Sequence, residues 1–206
     1  TLRLAGEWDN ASSEMIFRLS DQVRNTATLM ASGSYLPKSG ELRAKVKMDS
    51  LQIGYASGFV KEVFSRLEGK ASGELAVTGP LDPLSSRGPR LDDAVLQVAY
   101  TNVPYFVSGP FHVDDHGITF DDMPLKDRFN GTGTVTGGLT FDHLKDIRMA
   151  TSIRVNGVEA FNTKDDGESP VYGNIAASGT VNLTGPFSAL LMDINARTAG
   201  GGDFHI

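Results

Sequence analysis

Apolar and polar residues alternate along most of this chain. In ELRAKVKMD, Leu42, Ala44, Val46 and Met48 fall on one side, while Arg43, Lys45, Lys47 and Asp49 fall on the other. DAVLQVAY sets Ala94, Leu96, Val98 and Tyr100 against Gln97 and Ala99. FNGTGTVTGGLTF places Phe129, Val135, Leu139 and Phe141 opposite Asn130, Thr132, Thr134, Thr136 and Thr140. IRMATSIRV gives Ile147, Met149, Ile153 and Val155 opposite Arg148, Ser152 and Arg154. Near the start, Met15, Phe17 and Leu19 form a further apolar series. A period of two with one dry and one wet face predicts antiparallel strands rather than a doubly wound α/β core. Pro37–Gly40, Asp114–Gly117 and Lys164–Gly167 each end a polar turn on glycine, and predict hairpin connections.

One phrase occurs twice. ASGELAVTGPLDPL, from Ala71 to Leu84, and ASGTVNLTGPFSAL, from Ala177 to Leu190, match at seven of fourteen positions. The substitutions keep Leu75 and Val77, and Val181 and Leu183, on the apolar series. The repeat therefore predicts one structural unit used twice, a strand with one buried face closed by a Gly-Pro turn (Gly79-Pro80, Gly185-Pro186).

A single segment departs from alternation. In SGFVKEVFSRLEG the apolar residues Phe59, Val60, Val63, Phe64 and Leu67 recur at three- and four-residue spacing, with Ser57 before them and Gly69 after. This predicts one short amphipathic helix over residues 57–68. So little helix cannot cover a dozen strands, and the sheet must bury its apolar face on itself or leave a groove.

Composition narrows the chemistry. The chain has 206 residues, 23 of them glycine, and only 8% are aromatic, as in a turn-rich β protein with a modest core. Cysteine is absent, which removes disulfides, thiolate catalysis and cysteine-bound zinc. The net charge of −6 disfavours a nucleic-acid surface, so no nucleic-acid partner is expected. No apolar run approaches the ~18 residues of a membrane span. The chain is already alternating at Leu2 and Leu4, and Phe204 and Ile206 read as the start of another strand, so a fragment of a longer protein is expected.

Few side chains invite catalysis. His112, Asp114, Asp115, His116, Asp121 and Asp122 lie close together, but Asp114–Gly117 is what a tight turn requires, and a plain hairpin is preferred to a metal site. The Gly131-Thr132-Gly133 and Gly137-Gly138 glycines lack the Lys-Ser/Thr ending of a phosphate loop. No Gly-x-Ser-x-Gly elbow is present. No enzyme, no cofactor and no metal is expected.

From the helical segment onward, the order of phrases resembles the TamB and AsmA-like family of bacterial envelope proteins in its Bacteroidota form. The phrases are FVKEVFSRLEGKASGELAVTGPL, GITFDDMPLKDRFNGTGTVTGGLTFDHLKDIRM, FNTKDDGESPVYGNIAASGTVNLTGP and INARTAGGGDFHI, and together they cover most of 69–206. The first fifty-odd residues carry generic alternation only. The resemblance implies an elongated, curved, antiparallel-rich all-β groove (a β-taco) with an apolar interior. It further implies a periplasmic segment of a protein anchored in the inner membrane by a segment outside this chain. Its expected partners are phospholipid acyl chains moving between inner and outer membranes and, through other parts of the full-length protein, an Omp85-type outer-membrane protein in outer-membrane protein assembly. The family brings no catalytic residues. On the alternation, Leu75, Val77, Leu96, Val98, Val135, Leu139, Ile147, Met149, Ile153, Val181 and Leu183 are the expected groove lining. The alternative is a closed β-sandwich whose two sheets interdigitate, serving as a binding or adhesion module.

Overall fold

The computed structural model describes residues 2–23, 26–79, 84–142, 145–165 and 172–205. In chain order the strands are β1 (Leu2–Asp9), β2 (Glu14–Val23), β3 (Thr26–Leu36), β4 (Glu41–Gln52), β5 (Phe64–Gly79), β6 (Leu84–Val98) and β7 (Val103–Pro110). They continue as β8 (His112–Asp114), β9 (Gly117–Lys126), β10 (Thr132–Asp142), β11 (Lys145–Thr163), β12 (Tyr172–Pro186), β13 (Leu191–Thr198) and β14 (Asp203–His205). All fourteen belong to a single sheet, antiparallel throughout, in which neighbours in sequence are neighbours in space. Only β8 and β14 stand off this path, pairing with β9 and β12. The result is one open curved sheet, all-β as the alternation predicts, and not the two interdigitated sheets of a sandwich.

The predicted turns form where they are described. Pro37–Gly40 joins β3 to β4, with Gly40 at φ +70° and its N–H donating to the Leu36 carbonyl at 2.9 Å. Asp114 closes the β8–β9 hairpin by accepting the N–H groups of His116 and Gly117 at 2.8 and 3.0 Å. Part of the third turn, Asp166 and Gly167, lies outside the described residues.

The expected helix over residues 57–68 is only one turn long, and its last five residues are strand instead. A 3-10 turn (Ile53–Ala56) runs into α1 (Ser57–Val60), a single helical turn, and β5 begins at Phe64. Phe64 pairs with Val98 and Leu67 with Leu96. The three- and four-residue spacing was real, but a cross-strand partner was available from β6, and tertiary pairing overrides a weak local preference.

Register gives the repeated phrase its purpose. Opposite Ala71-Ser72-Gly73, strand β4 carries one extra residue: Met48 pairs with Gly73 and Leu51 with Ala71, leaving Asp49 and Ser50 facing Ser72 alone. Ser50 takes φ +57° and its N–H donates to the Ser72 hydroxyl at 3.1 Å. The second copy, Ala177-Ser178-Gly179, does the same to β11: Val155 pairs with Gly179, Val158 with Ala177, and Gly157 N–H at φ +63° donates to Ser178 at 2.8 Å. A third, unrepeated in wording, is Val107-Ser108-Gly109 opposite Leu91 to Ala94, where Asp93 N–H donates to Ser108 at 3.0 Å. A fourth is Val135-Thr136-Gly137 opposite Phe120 to Met123, with Asp122 at φ +45° and the Thr136 hydroxyl donating to the Asp122 carboxylate at 2.9 Å. These are β-bulges, each adding one residue to one strand, which bends and twists the sheet locally. Glycine is demanded beside the serine because a Cβ on Gly73 would sit 2.5 Å from Pro89 Cα, and one on Gly179 would strike the Asn195 carbonyl.

Each bulge keeps both flanking apolar residues on the same face. The core grows from them: Ala94, Met123 and Val158, the residues that follow three of the bulges, join Val107 and Leu125 in one fully buried cluster. Because β6, β7, β9 and β11 are not all adjacent in the sheet, that cluster lies inside the curve, and its face is the inner one.

Removing a bulge acceptor tests this account. Ser178→Ala should lower stability by about 1 kcal/mol, the net worth of one hydrogen bond whose donor is left behind, and Gly179→Ala by clearly more, because backbone must move. Urea unfolding monitored by far-ultraviolet circular dichroism checks both; equal small losses would show that the close approach at Gly179 is not a constraint.

Candidate functional site

Following the register from strand to strand, the inner face is apolar across the width of the sheet. Leu4, Leu19, Ala31, Val46 and Leu75 are direct partners in a row over β1 to β5. Met123, Val135, Ile153, Val181 and Ile194 form the equivalent row over β9 to β13. Behind them, Arg18, Ser32 and Lys45, and Thr134, Arg154, Thr180 and Asn195, make up the polar outer face. Where polarity enters the inner face it is spent within the sheet: Thr151 is buried and donates its hydroxyl proton to the Gly138 carbonyl at 3.0 Å.

Cover on this face is uneven. In the middle strands the inner face closes on itself, whereas Leu4 is 74% exposed, Trp8 53%, Met15 45%, Met192 45% and Ile194 58%. The inner face is thus a packed core between two open apolar flanks. Two hollows of about 490 and 580 Å³ open elsewhere, one among Arg154, Asn156 and Arg197, the other among Ile16, Arg18, Arg43, Lys45 and Ala76.

The expected lining residues fall on this one face, with two qualifications. Val135 and Ile153 share a row with Val181, Leu139 pairs with Met149, and Leu183 with Met192. Leu96 pairs with Leu67 and Tyr105, and Val98 with Phe64 and Val103; Ile147 is half-buried two residues from Met149 on β11. Leu75 belongs to the other flank, among β1 to β5; the side chain of Val77 lies outside the described residues, although its backbone pairs with Ala44 and Leu84. The first qualification is that Met149 is only 7% exposed, and Leu96, Val135 and Ile153 pack against the buried cluster, so these four belong to the core. The second is that the more open flanks, Leu4, Trp8 and Met15 on one side and Met192 and Ile194 on the other, were not among the expected residues although the same alternation marks them.

Two polar ties hold the curve. At the β9–β10 turn, buried Asp127 accepts the N–H groups of Phe129 and Gly131 through one oxygen, both at 2.8 Å, and that of Glu159 through the other at 2.6 Å. Glu159, 2% exposed, accepts Arg128 at 2.7 Å and the Asn174 amide at 2.8 Å. The Tyr105 hydroxyl donates to the Glu159 carbonyl at 2.9 Å, and Asn162 N–H donates to the Thr101 carbonyl, which draws the far end of β11 against β7. Burial, with the Glu159 and Asp127 carboxylates nearby, pushes the Tyr105 phenol up to about 12, so it remains a donor at any ordinary pH. At the other tie, the Tyr55 hydroxyl donates to buried Asp21 of β2 at 2.9 Å, and that carboxylate raises the phenol above its usual value.

The acidic cluster contributes no such tie. Asp114, Asp115 and His116 approach one another, with His116 Nδ1 2.8 Å from Asp115, at an exposed hairpin tip. No helix among the described residues is long and apolar enough to cross a membrane. No family model, curated protein or solved structure matches this chain.

The Asp127 tie predicts a large effect from a small change. Asp127→Asn offers one acceptor oxygen where the carboxylate offered two, and turns an NH₂ group toward backbone donors. It should cost at least about 2 kcal/mol by chemical denaturation, consistent with stranding a buried N–H. A loss below half of that would mean the turn is held by its backbone pairing alone.

Proposed function

We propose that this chain is a passive apolar slide for acyl chains, a groove segment of a TamB/AsmA-like periplasmic protein that conveys phospholipid between inner and outer membranes. The observation that carries the reading is the single apolar face running strand to strand from β1 to β13 and left open on both flanks. A soluble protein rarely exposes so much contiguous apolar surface without a partner for it. Acyl chains suit it chemically. Each methylene taken from water gains roughly 0.8 kcal/mol, so about ten methylenes offset the ordering cost of a bound chain with some to spare. No charged or catalytic group is needed on the path, and lateral movement along an unfeatured strip meets no strong site at which a lipid would stall. Headgroups would remain in water at the open side. The resemblance in sequence favours this use over adhesion. The Omp85-type partner and the membrane anchor belong, in this reading, to other parts of the full-length protein.

The test separates flank from core. Ile194→Glu and Met192→Glu lie on the open flank, where a charge stays wet; melting temperature should be almost unchanged while photocrosslinking to phospholipid from a neighbouring inner-face position is lost. Val135→Asp and Met149→Glu instead place a charge against the buried cluster and should destabilise by several kcal/mol. Flank variants that fold and still crosslink like the parent would remove the inner face from the lipid path.

A further inference from the structure

The two copies of the repeated phrase act as controls for one another. In the first, Gly73 pairs with Met48, which sets Lys47 opposite Glu74 and leaves Asp49 in the bulge; on the other side Ser72 pairs with Arg90. In the second, Gly179 pairs with Val155, which sets Arg154 opposite Thr180 and leaves Asn156 in the bulge; on the other side Ser178 pairs with Arg197. By register, Lys47 corresponds to Arg154, Arg90 to Arg197, Glu74 to Thr180 and Asp49 to Asn156. Two residues beyond Arg90 stands Asp92, which accepts its guanidinium at 2.8 Å, and two beyond Arg197 stands Ala199. Both cations persist in the second copy, and all three acids are replaced by neutral residues.

The second copy is thereby left with uncompensated positive charge. Arg154 and Arg197 are exposed, and neither makes an ion pair or side-chain hydrogen bond among the described residues. With 25 acidic against 19 basic side chains the chain does not lack acids, so the deficit is local. Both arginines line the hollow of about 490 Å³ on the outer face, together with Asn156, Ser178, Thr180 and Asn195. No acid lines it, and Asp193 stands in the next row, opposite Asn182. The Ser178 hydroxyl accepts the Gly157 N–H at 2.8 Å and donates to Asn156 Oδ1 at 3.4 Å, which leaves the Asn156 NH₂ group as a donor. Two guanidinium groups, two amides and the Thr180 hydroxyl therefore offer donors and two positive charges without a carboxylate. Arginine forks meet phosphate oxygens in paired, charge-assisted hydrogen bonds, and a phosphate monoester carries close to two negative charges at neutral pH.

We propose that the hollow between Arg154 and Arg197 binds a phosphate group, with the two guanidinium groups on its oxygens and the Asn156 and Asn195 amides completing the contacts. The site is on the opposite face of the sheet from the apolar strip, so it is independent of the acyl-slide reading. A soluble phosphate and a lipid headgroup present the same group, and the probes below distinguish them.

The whole chain is titrated calorimetrically at low ionic strength with inorganic phosphate and with glycerol 3-phosphate, against chloride at matched ionic strength. In parallel it is sedimented with phosphatidylcholine vesicles with and without phosphatidic acid. The site predicts binding in at least one arm, weakened about tenfold by Arg154→Gln and by Arg197→Gln, the loss of one charge-assisted hydrogen bond each, with unchanged circular dichroism. The double variant Asn156→Asp/Thr180→Glu restores the acids of the first copy; it should keep the fold and abolish binding. Binding of the soluble probes assigns the site to a free phosphate or phosphate ester, and binding only to phosphatidic acid vesicles assigns it to a headgroup. Binding in neither arm, heat matched by chloride, or affinity unchanged in the arginine variants would overturn the site.

Discussion

Curvature is the constraint on which this structure depends, and the register shifts between its strands, four of them bridged by a Ser or Thr hydroxyl, supply it. A sheet of this width with one apolar face has two ways to keep that face from water: a second layer or a bend. Among the described residues there is no second layer, since the longest helix has four residues. Each bulge solves a local accounting problem first. An extra residue in one strand leaves an N–H without a ladder partner, and a Ser hydroxyl on the facing strand accepts it at Ser50, Asp93 and Gly157. The glycine next to that serine lets the strands approach. The bend that follows brings Ala94, Met123 and Val158 to within 2% of complete burial. Hydrogen-bond chemistry thus decides where the apolar residues can meet.

The same geometry explains why cover is uneven. Bulges in β4, β6, β9 and β11 concentrate bending toward the middle of the sheet, and the terminal strands pair without one: β1 with β2, and β12 with β13, run in uninterrupted register over eight pairs each. Strands beyond the bend cannot reach the opposite side of the curve, so Leu4 and Ile194 stay open. A closed core and an exposed apolar flank are therefore two consequences of one placement of bulges.

Much of this was legible in the sequence. Alternation alone assigns the inner face correctly from Leu42 to Met48, from Val135 to Leu139 and from Ile147 to Val155, because the period of a strand is local and the chain rarely breaks it, whereas Phe129 lies in the β9–β10 turn and is exposed. The repeated Ala-Ser-Gly phrase was legible as a unit, but its meaning was not, since its partner is an unremarkable Asp49-Ser50 or Asn156-Gly157 on another strand. For the same reason Val107-Ser108-Gly109 and Val135-Thr136-Gly137 went unnoticed as members of the set. The helix over residues 57–68 failed because Phe64 and Leu67 satisfy a helical spacing and a strand pairing equally well, and only the presence of β6 decides. The Asp127–Glu159 tie was invisible: its residues are 32 apart, and acidic residues in strands and turns give no signal of burial. Depth within the face was equally hidden: Met149, expected as open lining, is buried, and open Ile194 was not singled out.

The two ties show what buried polar groups contribute to such a sheet. A purely apolar inner face would curl without preference for one closure, because hydrophobic burial is non-directional. Asp127 fixes the β9–β10 turn and the backbone of Glu159 together, Glu159 in turn takes Arg128 and Asn174, and Tyr105 of β7 donates to the Glu159 carbonyl, which ties β11 to β7 across the curve. On the other flank the Tyr55 hydroxyl joins the β4–β5 connection to Asp21 of β2. A carboxylate satisfied three times over by backbone N–H groups does not open without unfolding its turn, so the Asp127 closure belongs to the fold.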